Sequence, residues 1–124
     1  MRFVRVIFLL AAIFSAFIST AGAALDGSGT EADTWRIRSR ADFNDFAADP
    51  NYWDDHTRLE TDVNLAGITY TRAVIAPVQH WGVDIVSGIP FTGIFDGNDH
   101  AITNMAIEAD IHRDNVGLFG NVKH

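Results

Sequence analysis

The sequence predicts an all-β fold, a right-handed parallel β-helix that begins under a short capping α-helix, and three observations indicate it. Segment 92–95 (TGIF) recurs 24 residues later as segment 116–119 (VGLF). Short apolar runs alternate with corners rich in Gly, Asp and Asn. An amphipathic helical pattern precedes them. A repeat in the low twenties is a length at which one coil of a solenoid closes and stacks on the next.

Two corners are predicted inside the repeated region. Ile102, Met105 and Ile107 break strict strand alternation once, at Asn104, which indicates a bend there. Segment 96–99 (DGND) lies between apolar runs and contains residues that tolerate positive φ or bond their own backbone. A plain β-hairpin across segment 96–99 is the alternative, because Asp-Gly is also a hairpin signal.

The repeat predicts which side chains stack. Short strands joined by corners cannot bury their apolar side alone, so each coil must pair with a neighbour about 4.8 Å away. We therefore expect Phe95 below Phe119 and His100 below His124. The residues expected to define the structural repeat are Gly93, Phe95, Asp96, Gly97, Asn98, Asn104, Gly117, Leu118, Phe119 and Gly120.

The same residues resemble a protein family. The pattern F-x-G-x-F-D-G-N-x-H-x-I-x-N-x-x-I over 91–107, followed by VGLFG at 116–120, is similar to the opening coils of bacterial secreted and cell-surface β-helix proteins with GLUG motifs. Segment 27–37 resembles their lead-in. The chain departs from the pattern at Asp99, where the family usually has Gly. Because such proteins usually continue for many coils, the resemblance implies the capped beginning of a longer repeat protein, here truncated.

The first 23 residues predict a secretory signal peptide. Arg2 and Arg5 precede an apolar stretch over 6–18, and Ala-Gly-Ala at 21–23 offers a cleavage site. We expect export to the periplasm, the cell surface or the medium, with no membrane span after cleavage. The domain prediction is a signal peptide over 1–23, a linker over 24–34, and the cap with the first coils over 35–124.

Composition excludes several functions. The absence of cysteine rules out disulfides, thiolate metal sites, a cysteine nucleophile and a lipoprotein anchor. Loss of Arg2 and Arg5 with the leader takes the formal charge from −7 to −9. A surface this acidic argues against nucleic acid and anionic membranes as partners.

A capping helix is predicted over 40–48. Ser39 stands three residues before Asp42, a capping-box spacing with Asp in place of Glu, and two phenylalanines follow at helical intervals. Asp-Pro at 49–50 ends the segment. We expect this helix to cover the open end of the first coil.

The intervening segments give less specific expectations. Segment 51–56 is expected to pack its aromatic residues on the cap while its charges stay in solvent. Segment 58–65 predicts one strand with an apolar and a polar face. Segment 78–90 predicts a loop between coils, in which Trp81 covers the edge of the core. The charged segment 107–116 predicts an outward loop.

The candidate chemistries find little support. A calcium loop starting at Asp96 fails because His100 and Ile107 occupy ligand positions. The five histidines form no zinc-binding spacing. No Ser/His/Asp motif or phosphate-binding glycine loop is present. The sequence therefore predicts no catalytic, metal-binding or cofactor-binding residues.

Two functions follow from these expectations. The first is a non-enzymatic interaction, adhesion or envelope-structural module, whose partner is a cell-surface protein or a polysaccharide. The second is the N-terminal part of a polysaccharide lyase or hydrolase, which requires a groove spanning several coils and basic residues on an outer wall. New unsaturated ends in pectin or alginate would favour the enzyme.

Overall fold

The computed structural model describes residues 24–80, 86–109 and 115–124. It consists mostly of short strands with one α-helix. In chain order the elements are β1 (Trp35–Ile37), α1 (Arg40–Ala48), a 3-10 turn (Pro50–Tyr52), β2 (His56–Leu59), β3 (Val63–Asn64), β4 (Thr69–Tyr70), β5 (Gln79–His80), β6 (Val86–Ser87), β7 (Ile94–Asp96), β8 (Ile102–Thr103) and β9 (Ala106–Ile107).

The largest sheet has the order β1-β2-β7, and both of its pairings are parallel. In register, Trp35 lies beside Thr57, and Thr57 lies beside Phe95. Because the three strands are sequential in height but distant in sequence, the chain must travel around the molecule between them. This sheet therefore sets the direction in which successive segments pile up.

Two further parallel pairs repeat the arrangement. Strand β3 pairs with β8, and β4 pairs with β9. Together with the β2–β7 pair, they place partners 37 to 39 residues apart. Parallel bridges between Ile75 and Phe119 and between Phe91 and Val122 continue the pattern. We call residues 56–76 the lower tier, and residues 91–109 with 115–122 the upper tier.

The predicted 24-residue stacking is wrong. Phe95 pairs with Thr57, whereas Phe119 bridges to Ile75. The Phe95 and Phe119 rings do touch, with centroids 5.6 Å apart, but they come from different walls of the same tier. One tier is longer than the sequence repeat because it includes the excursion carrying β5 and β6.

The predicted ladder of His100 and His124 is also wrong. His100 Nδ1 lies 3.1 Å from Asp62 Oδ1 in the lower tier. The bridge nearest to His124 is the one between Val122 and Phe91, nine residues before His100. Each histidine therefore follows a different wall.

The capping helix has the predicted bounds. The Ser39 side chain accepts a hydrogen bond from the Asp42 backbone N–H at 3.1 Å, as an N-cap should. The Asp42 carboxylate accepts from the Arg38 N–H at 2.9 Å, one residue earlier than in a standard capping box. Phe43 and Phe46 are fully buried, so the apolar stripe of α1 packs into the core.

The predicted single strand over 58–65 is two strands, β2 and β3, separated by a corner at 60–62. Its apolar face was predicted correctly, since Leu59, Val63 and Leu65 are all buried. The corner forms because the Glu60 N–H still donates downward to the Ile37 carbonyl, after which the chain turns.

Both corners of the upper tier are confirmed. Asn98, Asp99 and Asn104 adopt positive φ, at 48°, 59° and 57°. Asp99 therefore enters the left-handed region even though it replaces the expected Gly. The hairpin alternative is excluded because β7 and β8 pair with β2 and β3 and not with each other.

Residues 24–34, predicted as a linker, instead pack against β1. Leu25 is only 4% exposed, and Asp26 forms an antiparallel bridge with Arg36. The His56 N–H donates to the Gly29 carbonyl at 2.9 Å, which joins this lead-in to β2. The lead-in and α1 thus belong to one packed end of the protein.

Segment 78–90 leaves the tiers as predicted. Its strands β5 and β6 form an antiparallel pair, while Trp81 lies outside the described residues. The predicted leader over 1–23 and residues 110–114 of the charged segment also lie outside them. Among the residues that are described, no helix is long and apolar enough to cross a membrane.

Candidate functional site

The upper edge of the protein is the first candidate surface. Within the described ranges, β7, β8 and β9 each pair on one side only, with the lower tier. Unpaired strand edges present free N–H and C=O groups that can pair with another strand. Exposed apolar side chains accompany these edges, including Ile94 at 56% and Met105 at 38%.

The opposite end is closed. Strand β1 has β2 on one side, and the bridge between Asp26 and Arg36 lies on the other. Phe43 and Phe46 of α1 are both buried. The molecule therefore has one covered end and one open end.

A row of polar side chains fastens the two tiers at their corners. The Asn98 side chain accepts from Arg58 Nη2 at 2.6 Å and donates to the Leu59 carbonyl at 3.1 Å. Further along, Asn104 Nδ2 donates to Asn64 Oδ1 at 2.9 Å. These bonds hold the corners in register, which explains why amide side chains occupy them.

Asp62 is the most perturbed acid of this row. Its Oδ1 accepts a hydrogen bond from the Ala101 backbone N–H at 3.0 Å and lies beside His100. The Ala101 hydrogen bond, and then the His100 side chain, hold the pKa of Asp62 below its ordinary value. The pair is solvent-exposed, and no nucleophile adjoins it among the described contacts. We therefore assign it a structural role.

The predicted repeat residues fall into two groups. Gly93 is a close-approach position, because a Cβ there would overlap the Asp55 carbonyl oxygen. Gly120 is another, with the Ala76 carbonyl oxygen 2.6 Å from a built Cβ. Gly97 and Gly117 meet no such obstacle.

The remaining predicted residues lie at the corners or in the core. Asp96 accepts from the Asn98 backbone N–H at 2.9 Å, an Asx-type turn. Phe95, Leu118 and Phe119 are half-buried and pack against the central core. None of these positions forms a catalytic arrangement.

A groove beside α1 is the second candidate surface. Its volume is about 490 Å³, and it lies between the C-terminal half of α1 and the segment that includes β4. The lining residues are Asn44, Ala47, Ala48, Trp53, Thr69, Tyr70, Thr71, Arg72, Ala73, Val74 and Pro77.

Sequence reasoning missed this groove. Tyr70 and Arg72 are separated by one residue and flanked by threonines, a composition typical of a polar binding surface, but their opposite wall comes from α1. Burial raises the pKa of Tyr70 above its ordinary value, while the positive charge of Arg40 acts in the opposite direction. Arg40 therefore lies close to the Tyr70 phenol.

No metal site is found in the part of the chain that the structure describes, where no three His, Asp or Glu side chains converge. Comparison with known proteins gives no relatives: no family model, no curated protein and no solved structure matches this chain. The functional argument therefore depends on the geometry of the two surfaces.

Proposed function

We propose that this chain is a secreted or cell-surface module of right-handed parallel β-helix type that acts by binding and not by catalysis. The open edge formed by β7, β8 and β9 carries this proposal. Its strands are parallel, stepped by a nearly constant offset and paired on one side within the described residues. Such an edge is suited to accept a further strand-forming coil.

The proposal includes a longer assembly. The covered lower end and the unpaired upper edge give the module a direction of growth. Additional coils with asparagine at their corners would continue the hydrogen-bonded row that Asn98 and Asn104 begin. On this proposal, the chain supplies the capped start of a repeat protein similar to those with GLUG motifs.

Catalysis is the weaker alternative. A polysaccharide lyase needs a basic residue poised beside a substrate carboxylate in an extended groove. Arg58 lies on the outer wall, but it is hydrogen-bonded to Asn98 and lies 3.7 Å from Asp96. An assay for unsaturated ends with pectin and alginate is expected to show no product.

The test of the open edge uses two isoleucines with equal exposure. Ile94 in β7 and Ile89 outside the edge are both 56% exposed. A lysine in an edge strand opposes strand addition. We expect concentration-dependent association of the purified chain by sedimentation, abolished by Ile94→Lys and kept by Ile89→Lys. A monomer at every concentration would contradict the proposal, as would equal effects of the two substitutions.

A further inference from the structure

The groove beside α1 is a mixed polar and aromatic site separate from the open edge. Trp53 is 5% exposed, and its indole N–H donates to the Phe46 carbonyl at 2.9 Å, so the ring is held fixed at the wall. Tyr70 is half-buried. Fixed aromatic surfaces of this kind pack on the C–H faces of sugar rings and leave polar atoms free to bond hydroxyls.

Positive charge distinguishes the groove from the rest of the molecule. Arg36 and Arg38 both pair with Asp26, the former at 3.3 Å and the latter at 2.7 Å. Arg72 in the groove and Arg40 near Tyr70 are exposed and form no ion pair with any described residue. Two available guanidinium groups at one site in a chain of net charge −7 favour an anionic ligand.

The neutral lining indicates the chemistry of that anion. Asn44, Thr69 and Thr71 are exposed side chains of the groove that can donate to and accept from hydroxyl groups. A guanidinium group binds a carboxylate through two parallel hydrogen bonds. Carboxylates, hydroxyls and apolar ring faces occur together in uronic acid sugars.

We propose that the groove between α1 and residues 69–74 binds an acidic polysaccharide, with Arg72 bound to a uronate carboxylate and Tyr70 against a sugar ring. Arg40 supplies a second positive charge at the helix side. The ligand is bound and not cleaved. This site does not involve the strands β7 to β9, so its occupancy is independent of strand addition at the upper edge.

An acidic peptide is the competing ligand, and the lining favours the sugar. Peptide binding in an extended groove usually uses backbone hydrogen bonds along a free strand edge. Here β4 already pairs with β9. The groove offers hydroxyl, amide and aromatic side chains instead, which are the groups that recognise sugars.

Calorimetric titration of the purified chain with an oligogalacturonate tests the site. The matched ligands are its methyl-esterified form, which keeps the rings but lacks the charges, and an oligoglutamate of similar length. Arg72→Gln and Arg40→Gln each remove one positive charge at the groove. Lys123→Gln removes one exposed charge elsewhere and is the control.

We expect oligogalacturonate binding that Arg72→Gln weakens about tenfold, with a smaller loss for Arg40→Gln, since a charge-assisted hydrogen bond is worth about that factor. The methyl-esterified oligomer and oligoglutamate should bind much more weakly. Absence of binding, equal losses for Arg72→Gln and Lys123→Gln, or equal affinity for either comparison ligand would each overturn the proposal. Ile94→Lys should leave the titration unchanged, which separates this site from the edge.

Discussion

The lower and upper tiers have the same strand order but differ in how completely their side chains are buried. Val63 is 1% exposed, whereas its register partner Ile102 is half-buried. Ile75 is fully buried, whereas Phe119, which bridges to it, is half-buried. The lower tier has neighbours above and below. The upper tier has them only below within the described residues, so the position in the stack decides how much each tier stabilises the fold.

Matched truncations in the two tiers should give the largest effects. Ile75→Ala removes a fully buried side chain and should destabilise the fold by about 4 kcal/mol, because it leaves a cavity. Ile102→Ala in the upper tier should cost about 2 kcal/mol, since part of that side chain is already in water. Urea unfolding of both variants measures the difference. Equal losses would show that the tiers are equally packed.

The contact between the tiers can be tested at two glycines. Gly93→Ala would force a Cβ into the Asp55 carbonyl and should cost about 3 kcal/mol. Gly97→Ala meets nothing within 4 Å and should change stability by no more than about 0.5 kcal/mol. Thermal unfolding of the two variants is the measurement. A harmless Gly93→Ala would mean that the tiers lie further apart.

The closed end should respond more weakly to loss of its cap. Ser39→Ala removes the acceptor for the Asp42 N–H and should destabilise the fold by about 1 kcal/mol. Ser39→Asp keeps an acceptor and should restore most of that loss. Urea unfolding distinguishes the two substitutions. No rescue by Asp would indicate that Ser39 acts through something other than capping.

The smallest effect concerns the corner row and depends on pH. The pKa of Asp62 is lower in the folded state than its ordinary value of 3.8. Its stabilising contribution is therefore complete above pH 3.8 and is lost as pH falls through the folded pKa. Asp62→Asn should flatten this part of the stability profile. An unchanged acid profile in that variant would remove Asp62 from the row that joins the tiers.

Local features of this fold could be predicted from sequence, and the pairing period could not. Helix α1 and the bend at Asn104 follow from capping spacing and from one break in alternation. The corner at 60–62 has no Gly, Pro or Asn to reveal it, so segment 58–65 looked like one strand. The 24-residue similarity misled because the length of a tier depends on the excursion over 78–90, which local patterns cannot measure.

The binding surfaces were less predictable than the fold. Exposure at the upper edge follows from which strands lie outermost, a property of the stack and not of any motif. The groove joins Asn44 on α1 to Tyr70 and Arg72 beyond β3, and only the folded chain brings them together. The predicted repeat residues mark corners and close contacts, which are structural roles.

Disulfide trapping tests the stacking of the two tiers most directly, because the chain has no cysteine of its own. Thr69 and Ala106 are exposed partners in register in the parallel β4–β9 pair, at a spacing that a disulfide can bridge. Thr92 and Val116 are equally exposed and are aligned by the 24-residue similarity. Mild oxidation should cross-link Thr69→Cys/Ala106→Cys and leave Thr92→Cys/Val116→Cys reduced. Cross-linking of the second pair without the first would contradict the stacking described here.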